Sequence, residues 1–570
     1  MKEMYFTRLT IISKTAKKAA QFDFSKSYNV ILSNEKNSVG KSSLVKNIFW
    51  SFGCEPQFDD NWKSLDCRVI LDFEVKGKPY QIARHGNRFI LKDYHEKYKV
   101  FTSVGGDFSS EIMSLFDFNA LLPMRDKDEV TTPAPAYYFL PFYIDQKQSW
   151  ANAWASFSNL GQFSDWKKTI IPYHSGMIDK GYFDTTQKIY SKKVEITEVS
   201  KQIDRLDTAI SVVSEFPSES GLVIDDDELN QIEEQLNVEV MDMHYQQEIL
   251  FEELASLRAE KAHIGSQIIL AENSFKEAGE DYEFSETLDD DIECPTCGVT
   301  HDNSIVNRFS LLQDKKQAEG MITRLNTELA DLNDEIIKKV ADFESVRAHI
   351  NDLDKKYSTE SGRSLSTVLE AIASKSVRKK VEGNKSVKVE KLHTLSTDEQ
   401  VLIKDRTAAS KDRKKQVKEE FQECFPRLLA KLKAFGVNSS SIKSPENHVK
   451  VAASGGAAES TRAMLAYYVS IYKLIKNYGE HVLCPFVIDT PNQHEQAAKH
   501  YDSIVSLLLS ELPEKSQLFL CGMNSEKLEP LKAHAKVIYL DVEHSLLSSD
   551  SFKEFDSEYS GIFELDASGV

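Results

Sequence analysis

The feature that most constrains this chain is a heptad seam interrupted at its middle by a pair of cysteines. Ile189, Ile196, Val199, Ile203, Leu206, Ile210 and Val213 follow one another at steps of seven, three, four, three, four and three, which keeps them on one helix face. The seam breaks at Phe216-Pro217 and the acidic run Asp225-Asp226-Asp227-Glu228, resumes at Leu250, Leu254, Leu257, Ile264 and Ile268, and stops near Gly279. Beyond Cys294-Pro295-Thr296-Cys297-Gly298 it returns through Ile322, Leu325, Leu329, Leu332, Ile336, Phe343, Val346, Ile350 and Leu353. Position 294 lies near the middle of the 570 residues. Folding back at the cysteines lays one helical arm along the other, as an antiparallel hairpin, and brings the two chain ends together. An unbroken arm of about 100 residues, rising about 1.5 Å per residue, would reach on the order of 150 Å. A compact bundle of several shorter helices is the other reading of the same pattern.

Composition agrees with a helical centre between globular ends. Tyr182 to Gln422 is rich in Glu, Lys, Gln, Ser and Leu and poor in Gly, Pro and Trp, whereas aromatic and apolar residues gather at both ends. With 41% hydrophobic and 28% charged residues, and only 15 Pro and 23 Gly, a largely disordered or collagen-like chain is excluded. The net charge of -19 excludes a protein that coats nucleic acid with its whole surface, though not one with a local basic patch. The 7 cysteines are an odd number, and the start Met1-Lys2-Glu3-Met4-Tyr5 lacks the basic-then-apolar layout of a secretory signal. A reducing compartment, the cytoplasm, is expected. No apolar run approaches the roughly 20 residues of a membrane span.

The chemistry sits in the ends. Tyr28-Asn29-Val30-Ile31-Leu32 reads as a buried strand running into Ser33-Asn34-Glu35-Lys36-Asn37-Ser38-Val39-Gly40-Lys41-Ser42-Ser43-Leu44. A phosphate loop needs N–H groups at a helix N-terminus, a lysine for the β- and γ-phosphates and a hydroxyl for Mg²⁺, roles that Gly40, Lys41 and Ser42 fill. Glu35 stands where the first glycine of the strict pattern belongs. Phe486-Val487-Ile488-Asp489 is an apolar strand ending in a carboxylate, expected beside the phosphate-loop strand and placed to hold Mg²⁺ through water. Ser454-Gly455-Gly456-Ala457-Ala458-Glu459-Ser460 opens a helical run, a second candidate for anion binding at a helix N-terminus. Phe142-Tyr143-Ile144-Asp145-Gln146 reads as a strand ending in an amide side chain able to sense Mg²⁺ or the attacking water. Each element alone has a bland counterpart, a core strand or an ordinary loop. Their order is far more specific than any member.

In that order the chain resembles the SMC-like ATPases, the group that contains the chromosome-maintenance proteins and the ATPase partner of the double-strand-break repair nuclease. The resemblance covers essentially the whole length and implies an α/β ABC-type ATPase head. Residues 1–181 and 426–570 would form its two halves, with a coiled-coil arm at 182–280, a zinc-hook tip at 281–308 and a returning arm at 309–425. It implies ATP bound by Asn37, Gly40, Lys41, Ser42 and Ser43, with Gln146 as the Q-loop glutamine. Ser454, Gly455 and Gly456 correspond to the signature motif and Asp489 to the Walker B aspartate; Mg²⁺ falls to Ser42, Gln146 and Asp489. The signature helix of one head would complete the ATP site of a second copy. Cys294 and Cys297 resemble the hook of the repair ATPase, in which two chains share one tetrahedral Zn²⁺. Other readings make His301 a third ligand in the same chain, or leave the thiols unligated or redox-active.

Two departures bear on catalysis. Thr490 follows Asp489 where the family carries a glutamate that activates water, leaving Glu495 as a candidate base and Gln493 as a candidate water-orienting residue. Both also read as polar residues opening the next helix. Gly522-Met523-Asn524 ends the strand Gln517-Leu518-Phe519-Leu520-Cys521 where a switch histidine is usual, so slow or conditional hydrolysis is expected. The divergent phosphate loop, the short hairpin and the Asp489-Thr490-Pro491-Asn492-Gln493 ending look most similar to the SMC-like subunit of the Lamassu anti-phage and anti-plasmid defence systems. That implies a DNA-sensing ATPase acting with a separate nuclease effector and a small accessory subunit. A repair ATPase feeding a nuclease, or a scaffold that binds ATP with little turnover, are the alternatives.

Double-stranded DNA has one evident place to bind. From Lys375 to Lys418 there are 14 Lys or Arg against 6 Asp or Glu, a balance of +8 that leaves -27 for the rest of the -19 chain. Lys379, Lys380, Lys414 and Lys415 are the candidate phosphate contacts, largely independent of sequence. A solvated helix face explains the same charge run.

Overall fold

The computed structural model describes residues 2–34, 39–124, 129–215, 238–287, 291–293, 300–302, 305–356, 365–452, 457–490, 498–540 and 546–565. They fall into two compact units, Met1–Lys193 with Glu399–Val570, and Val194–Asp398. The division lies within the helices Lys180–Glu215 and Leu365–Ala409. No helix among the described residues is long and apolar enough to cross a membrane.

In chain order the strands are β1 (Met4–Ser13), β2 (Lys18–Asp23), β3 (Tyr28–Ser33), β4 (Cys67–Val75), β5 (Lys78–His85), β6 (Arg88–Lys92) and β7 (Tyr98–Phe101). The pair β8 (Leu122–Pro123) and β9 (Val130–Thr131) precedes β10 (Tyr143–Ile144). The helical unit contributes β11 (Asp291–Glu293) and β12 (Thr300–Asp302), and the C-terminal segment β13 (Phe486–Asp489), β14 (Leu518–Met523) and β15 (Ala535–Tyr539).

The first unit is built on two sheets. One is parallel, in the order β10-β13-β14-β3-β15, so strands from both chain ends interleave in a single α/β layer. The strands β3, β13 and β14 are nearly continuous buried runs, as expected of parallel strands covered on both faces, whereas the edge strand β15 is only partly buried. The aspartate strand β13 does not lie beside the phosphate-loop strand β3, contrary to the expectation from sequence. β14 separates them, because Leu518, Phe519, Leu520 and Cys521 are all buried and fill a central position.

The other sheet is antiparallel, in the order β2-β1-β4-β5-β6-β7. Its alternation serves two cores. Val69, Leu71 and Phe73 of β4 join the main core with Phe49 of the helix Lys41–Ser51 and Phe52 just after it. On the opposite face Ile12, Ile70, Ala83 and Ile90 are covered by Tyr559 and Phe563. Arg84 ties the antiparallel sheet to the end of that helix. Its guanidinium donates to Trp50 O at 2.7 Å and to Cys54 O at 3.2 Å, and pairs with Glu55 at 2.5 Å. A cation at this end complements the helix dipole.

The second unit is helical. Val238–Glu286, 49 residues, runs antiparallel to Ile305–Lys356, 52 residues. The direction follows from the side-chain pairs: Phe251 meets Phe343 with centroids 6.3 Å apart, Glu253 meets Lys339 at 2.7 Å, and Lys315 Nζ lies 5.1 Å from the Phe275 ring. As one partner's number rises the other's falls. The seam residues Ile264, Ile268, Leu325 and Leu332 form their own buried cluster. β11 and β12 pair antiparallel, Glu293 with Thr300.

The arms are not single unbroken rods. Ala209 from Lys180–Glu215, Phe251, Ala255 and Ala259 from Val238–Glu286, and Val377 and Val381 from Leu365–Ala409 share one cluster, with Phe343 packed against it. Four helices therefore lie side by side there, and the outgoing helices overlap rather than continue end to end. Three alanines at the contact permit that close approach. The unit thus combines the hairpin with a short bundle.

Candidate nucleotide and metal site

The site forms where β3, β10 and β13 end. Gly40 precedes the helix Lys41–Ser51 with φ 94°, and a Cβ there would meet the Leu546 Cβ at 2.8 Å. Both facts demand glycine. The first turn of a helix leaves N–H groups without intrahelical acceptors, an arrangement suited to phosphate. Lys41 Nζ donates to Ser33 Oγ at 2.5 Å. Burial lowers the Lys41 pKa, opposed by Cys521 and Asp489. The amine is turned inward to the end of β3.

Ser42 Oγ donates to Gln146 Oε1 at 3.2 Å. Gln146 stands in a turn, since the strand β10 stops at Ile144. Buried Asp145 makes that turn: its carboxylate accepts from the N–H groups of Lys147, Gln148 and Ser149 at 2.9, 3.0 and 2.8 Å, as well as from the Ser149 hydroxyl. An aspartate bonding the backbone two to four residues ahead fixes a loop that would otherwise be soft.

Asp489 is fully buried at the end of β13. Burial pushes its pKa up to about 6; the Ser42 hydroxyl, the Lys46 ammonium and the Thr490 hydroxyl oppose the rise, and Asp145 adds to it. Thr490 Oγ1 donates to Asp489 Oδ1 at 3.2 Å. Asp489 Oδ2 is buried without a hydrogen-bond partner among the described residues. A buried carboxylate oxygen left unpaired is costly unless something outside the protein satisfies it. With the Ser42 hydroxyl and the Gln146 carbonyl nearby, the donor set is all oxygen and suits Mg²⁺. These residues fit an ATP–Mg²⁺ site.

Of the residues expected from sequence, Lys41, Ser42, Gln146 and Asp489 come together, with Gly40 and Ser43 on the same loop and helix. Asn37, Ser454, Gly455, Gly456, Gln493 and Glu495 lie outside the described residues, as do Cys294 and Cys297. Among the described residues no group of three or more His, Cys, Asp or Glu is arranged to hold a metal. Lys379 and Lys380 belong to the helical unit, and Lys414 and Lys415 to the helix Lys411–Lys431 of the other unit. Lys380 is engaged by Glu248 at 2.7 Å and Glu252 at 3.7 Å, and Lys415 reaches Glu419 at 4.0 Å.

Sequence reasoning missed Asp145, Lys46 and Trp150, whose Nε1 donates to Asp489 O at 3.3 Å. Asp145 carried a signal, the spacing of an aspartate four residues before a serine. Lys46 and Trp150 carried none, because their roles depend on contacts between distant segments.

No family model matches the chain. Its homologues include Lamassu protein LmuB of Bacillus cereus (strain VD014), 23% identical over 548 residues, covering 92% of each chain. Lamassu protein LmuB of Bacillus sp. (strain NCIM 5461 / CCTCC AB 2011126 / NIO-1130) is 21% identical over 577 residues, covering 97% of this chain and 98% of that one. Similar solved structures include an Smc head domain with a coiled coil and joint from Pyrococcus yayanosii, 14% identical with a TM-score of 0.36, covering 98% of this chain and all (100%) of that one. The recombination mediator protein RecF is also similar, at 11% identity and a TM-score of 0.25, covering 94% of this chain and 97% of that one.

Proposed function

We propose that this chain is the SMC-like ATPase of a Lamassu-type bacterial defence complex. The convergence of Lys41, Ser42, Gln146 and the Asp489 Oδ2, which has no hydrogen-bond partner among the described residues, carries the ATPase reading. Similarity to Lamassu protein LmuB along nearly the whole length supports the defence context.

In this reading the N-terminus of the helix Lys41–Ser51 receives the phosphates, and Lys41 exchanges the Ser33 hydroxyl for the β- and γ-phosphates. Ser42, Gln146 and Asp489 would hold Mg²⁺, which when bound would supply positive charge to offset that building on the γ-phosphate. Asn37 and Ser43 add phosphate contacts, and Ser454, Gly455 and Gly456 close the nucleotide site of a second copy, so that ATP joins two heads. Glu495 is the candidate base. Cys294 and Cys297 share Zn²⁺ with the same pair of a second chain. Double-stranded DNA lies along the basic block 375–418, and its capture releases or activates a separate nuclease effector, alongside a small accessory subunit. A second reading, an ATP-binding scaffold with little turnover, draws on Thr490, whose hydroxyl is occupied by Asp489.

The test compares ATP binding and steady turnover of the full chain with Lys41→Ala and Asp489→Ala, with DNA present and absent. Turnover abolished by either substitution supports the ATPase. Binding without turnover selects the scaffold, and absence of ATP binding overturns both. Protection of cells against phage or plasmid by the complete gene cluster, lost with Lys41→Ala, tests the defence role.

A further inference from the structure

The turn after β13 is strained in a way that points to a role for Thr490. Its φ is 58°, a left-handed backbone that is rare for a β-branched residue. Glycine or asparagine would adopt it more easily. Such a conformation persists only where surrounding contacts over-determine it, and three do. Thr490 N donates to Cys521 O at 3.2 Å, extending the β13–β14 ladder past its last pair. Trp150 Nε1 donates to the preceding carbonyl, Asp489 O, at 3.3 Å. The hydroxyl that only threonine or serine supplies here is directed back to Asp489 Oδ1 at 3.2 Å. The other oxygen, Oδ2, is buried with no hydrogen-bond partner among the described residues, while the Ser42 hydroxyl lies close enough to the carboxylate to oppose the rise in its pKa.

Building on the nucleotide-site reading above, we propose that Thr490 is a positioning residue that orients the Asp489 carboxylate for the divalent cation. The hydroxyl holds Oδ1 so that Oδ2 is presented to the metal's water shell. Thr490 then takes no part in activating the attacking water. A group that fixes a metal-facing carboxylate acts on metal-dependent binding, and losing such support typically weakens it by about tenfold or more.

The experiment titrates the full chain with a fluorescent ATP analogue, once in Mg²⁺ and once in EDTA, so that the readout does not depend on hydrolysis. Thr490→Val keeps the branched shape and loses the hydroxyl; it should bind about tenfold more weakly in Mg²⁺ and unchanged in EDTA. Thr490→Ser should restore wild-type binding. Thr490→Gly relaxes the backbone and lacks the hydroxyl, and should show the same Mg²⁺-specific loss even if Thr490→Val folds poorly. Equal affinities for wild type, Thr490→Val and Thr490→Gly in Mg²⁺ would overturn the inference. Equal losses in Mg²⁺ and EDTA would overturn it too, by making the residue structural. Wild type that binds the analogue in neither condition would overturn the nucleotide site itself and this inference with it.

Discussion

The Ser42 hydroxyl donates to Gln146 Oε1 at 3.2 Å, joining the phosphate-loop helix to a turn 104 residues further along the chain. In the proposed site these two oxygens would both be ligands of Mg²⁺. Gln146→Ala should therefore weaken the Mg²⁺ dependence of ATP binding about 10- to 100-fold, with little change in thermal stability, since Gln146 is exposed. A Mg²⁺ titration of nucleotide binding measures it. An unchanged Mg²⁺ midpoint would separate Gln146 from the metal.

What the sequence made legible was local. Strand, loop, Gly40, Lys41, Ser42 and helix are contiguous, so their backbone chemistry is written in one stretch, and the apolar run ending at Asp489 is equally self-contained. The order of strands is not. β14 reads like any buried strand, and only packing decides that it separates β3 from β13. The heptad steps likewise identify apolar faces but not their partners, so a two-helix hairpin and a bundle of shorter helices fit the same pattern, and only packing gathers four helices around Ala255. The left-handed backbone at Thr490 was invisible because threonine gives no turn signal.

Glu511 gathers three cations from two other helices. Its carboxylate meets Arg427 at 2.5 and 3.0 Å and Lys473 at 2.7 Å, and it also pairs with Lys431. Burial pushes its pKa up, but these partners outweigh burial and bring it down to about 2 from an ordinary 4.5. A depressed carboxylate stabilises the fold above its unfolded pKa, and that contribution fades as pH falls from about 4.5 towards about 2. Because the cations are partly exposed, Glu511→Gln should cost only about 1–3 kcal/mol at neutral pH. Urea melts at pH 7 and pH 3 should differ less for Glu511→Gln than for wild type. An equal pH difference would mean that the carboxylate titrates normally.

The basic block divides into engaged and available lysines. Lys380 is held by Glu248 and Glu252, whereas Lys379 and Lys414 have no carboxylate partner among the described residues. Lys379→Glu combined with Lys414→Glu should weaken duplex DNA binding and lower the slope of log affinity against log salt by about two, with the fold intact. Lys380→Glu sets like charges against two glutamates and should cost about 1 kcal/mol of stability as well. Fluorescence anisotropy across a salt series separates the two effects. An unchanged slope in the double variant would leave the block as a solvated surface.

The hairpin pairs converge on the segment between β11 and β12, since Glu253 with Lys339, Phe251 with Phe343 and Glu293 with Thr300 are nearly equidistant from position 296. Cys294 and Cys297 flank that midpoint. Two thiolates fill half of a tetrahedral zinc site, so a structural zinc needs two more ligands from somewhere. If they come from a second chain, purified protein should hold about one zinc per two chains, and Cys294→Ser should abolish both the metal and any association that persists without ATP. If His301 helps complete the site within one chain, the ratio rises to about one per chain and His301→Ala loses it. Metal analysis beside mass measurement in solution distinguishes the cases. Protein without zinc, its two thiols open to alkylation, would rule out the hook.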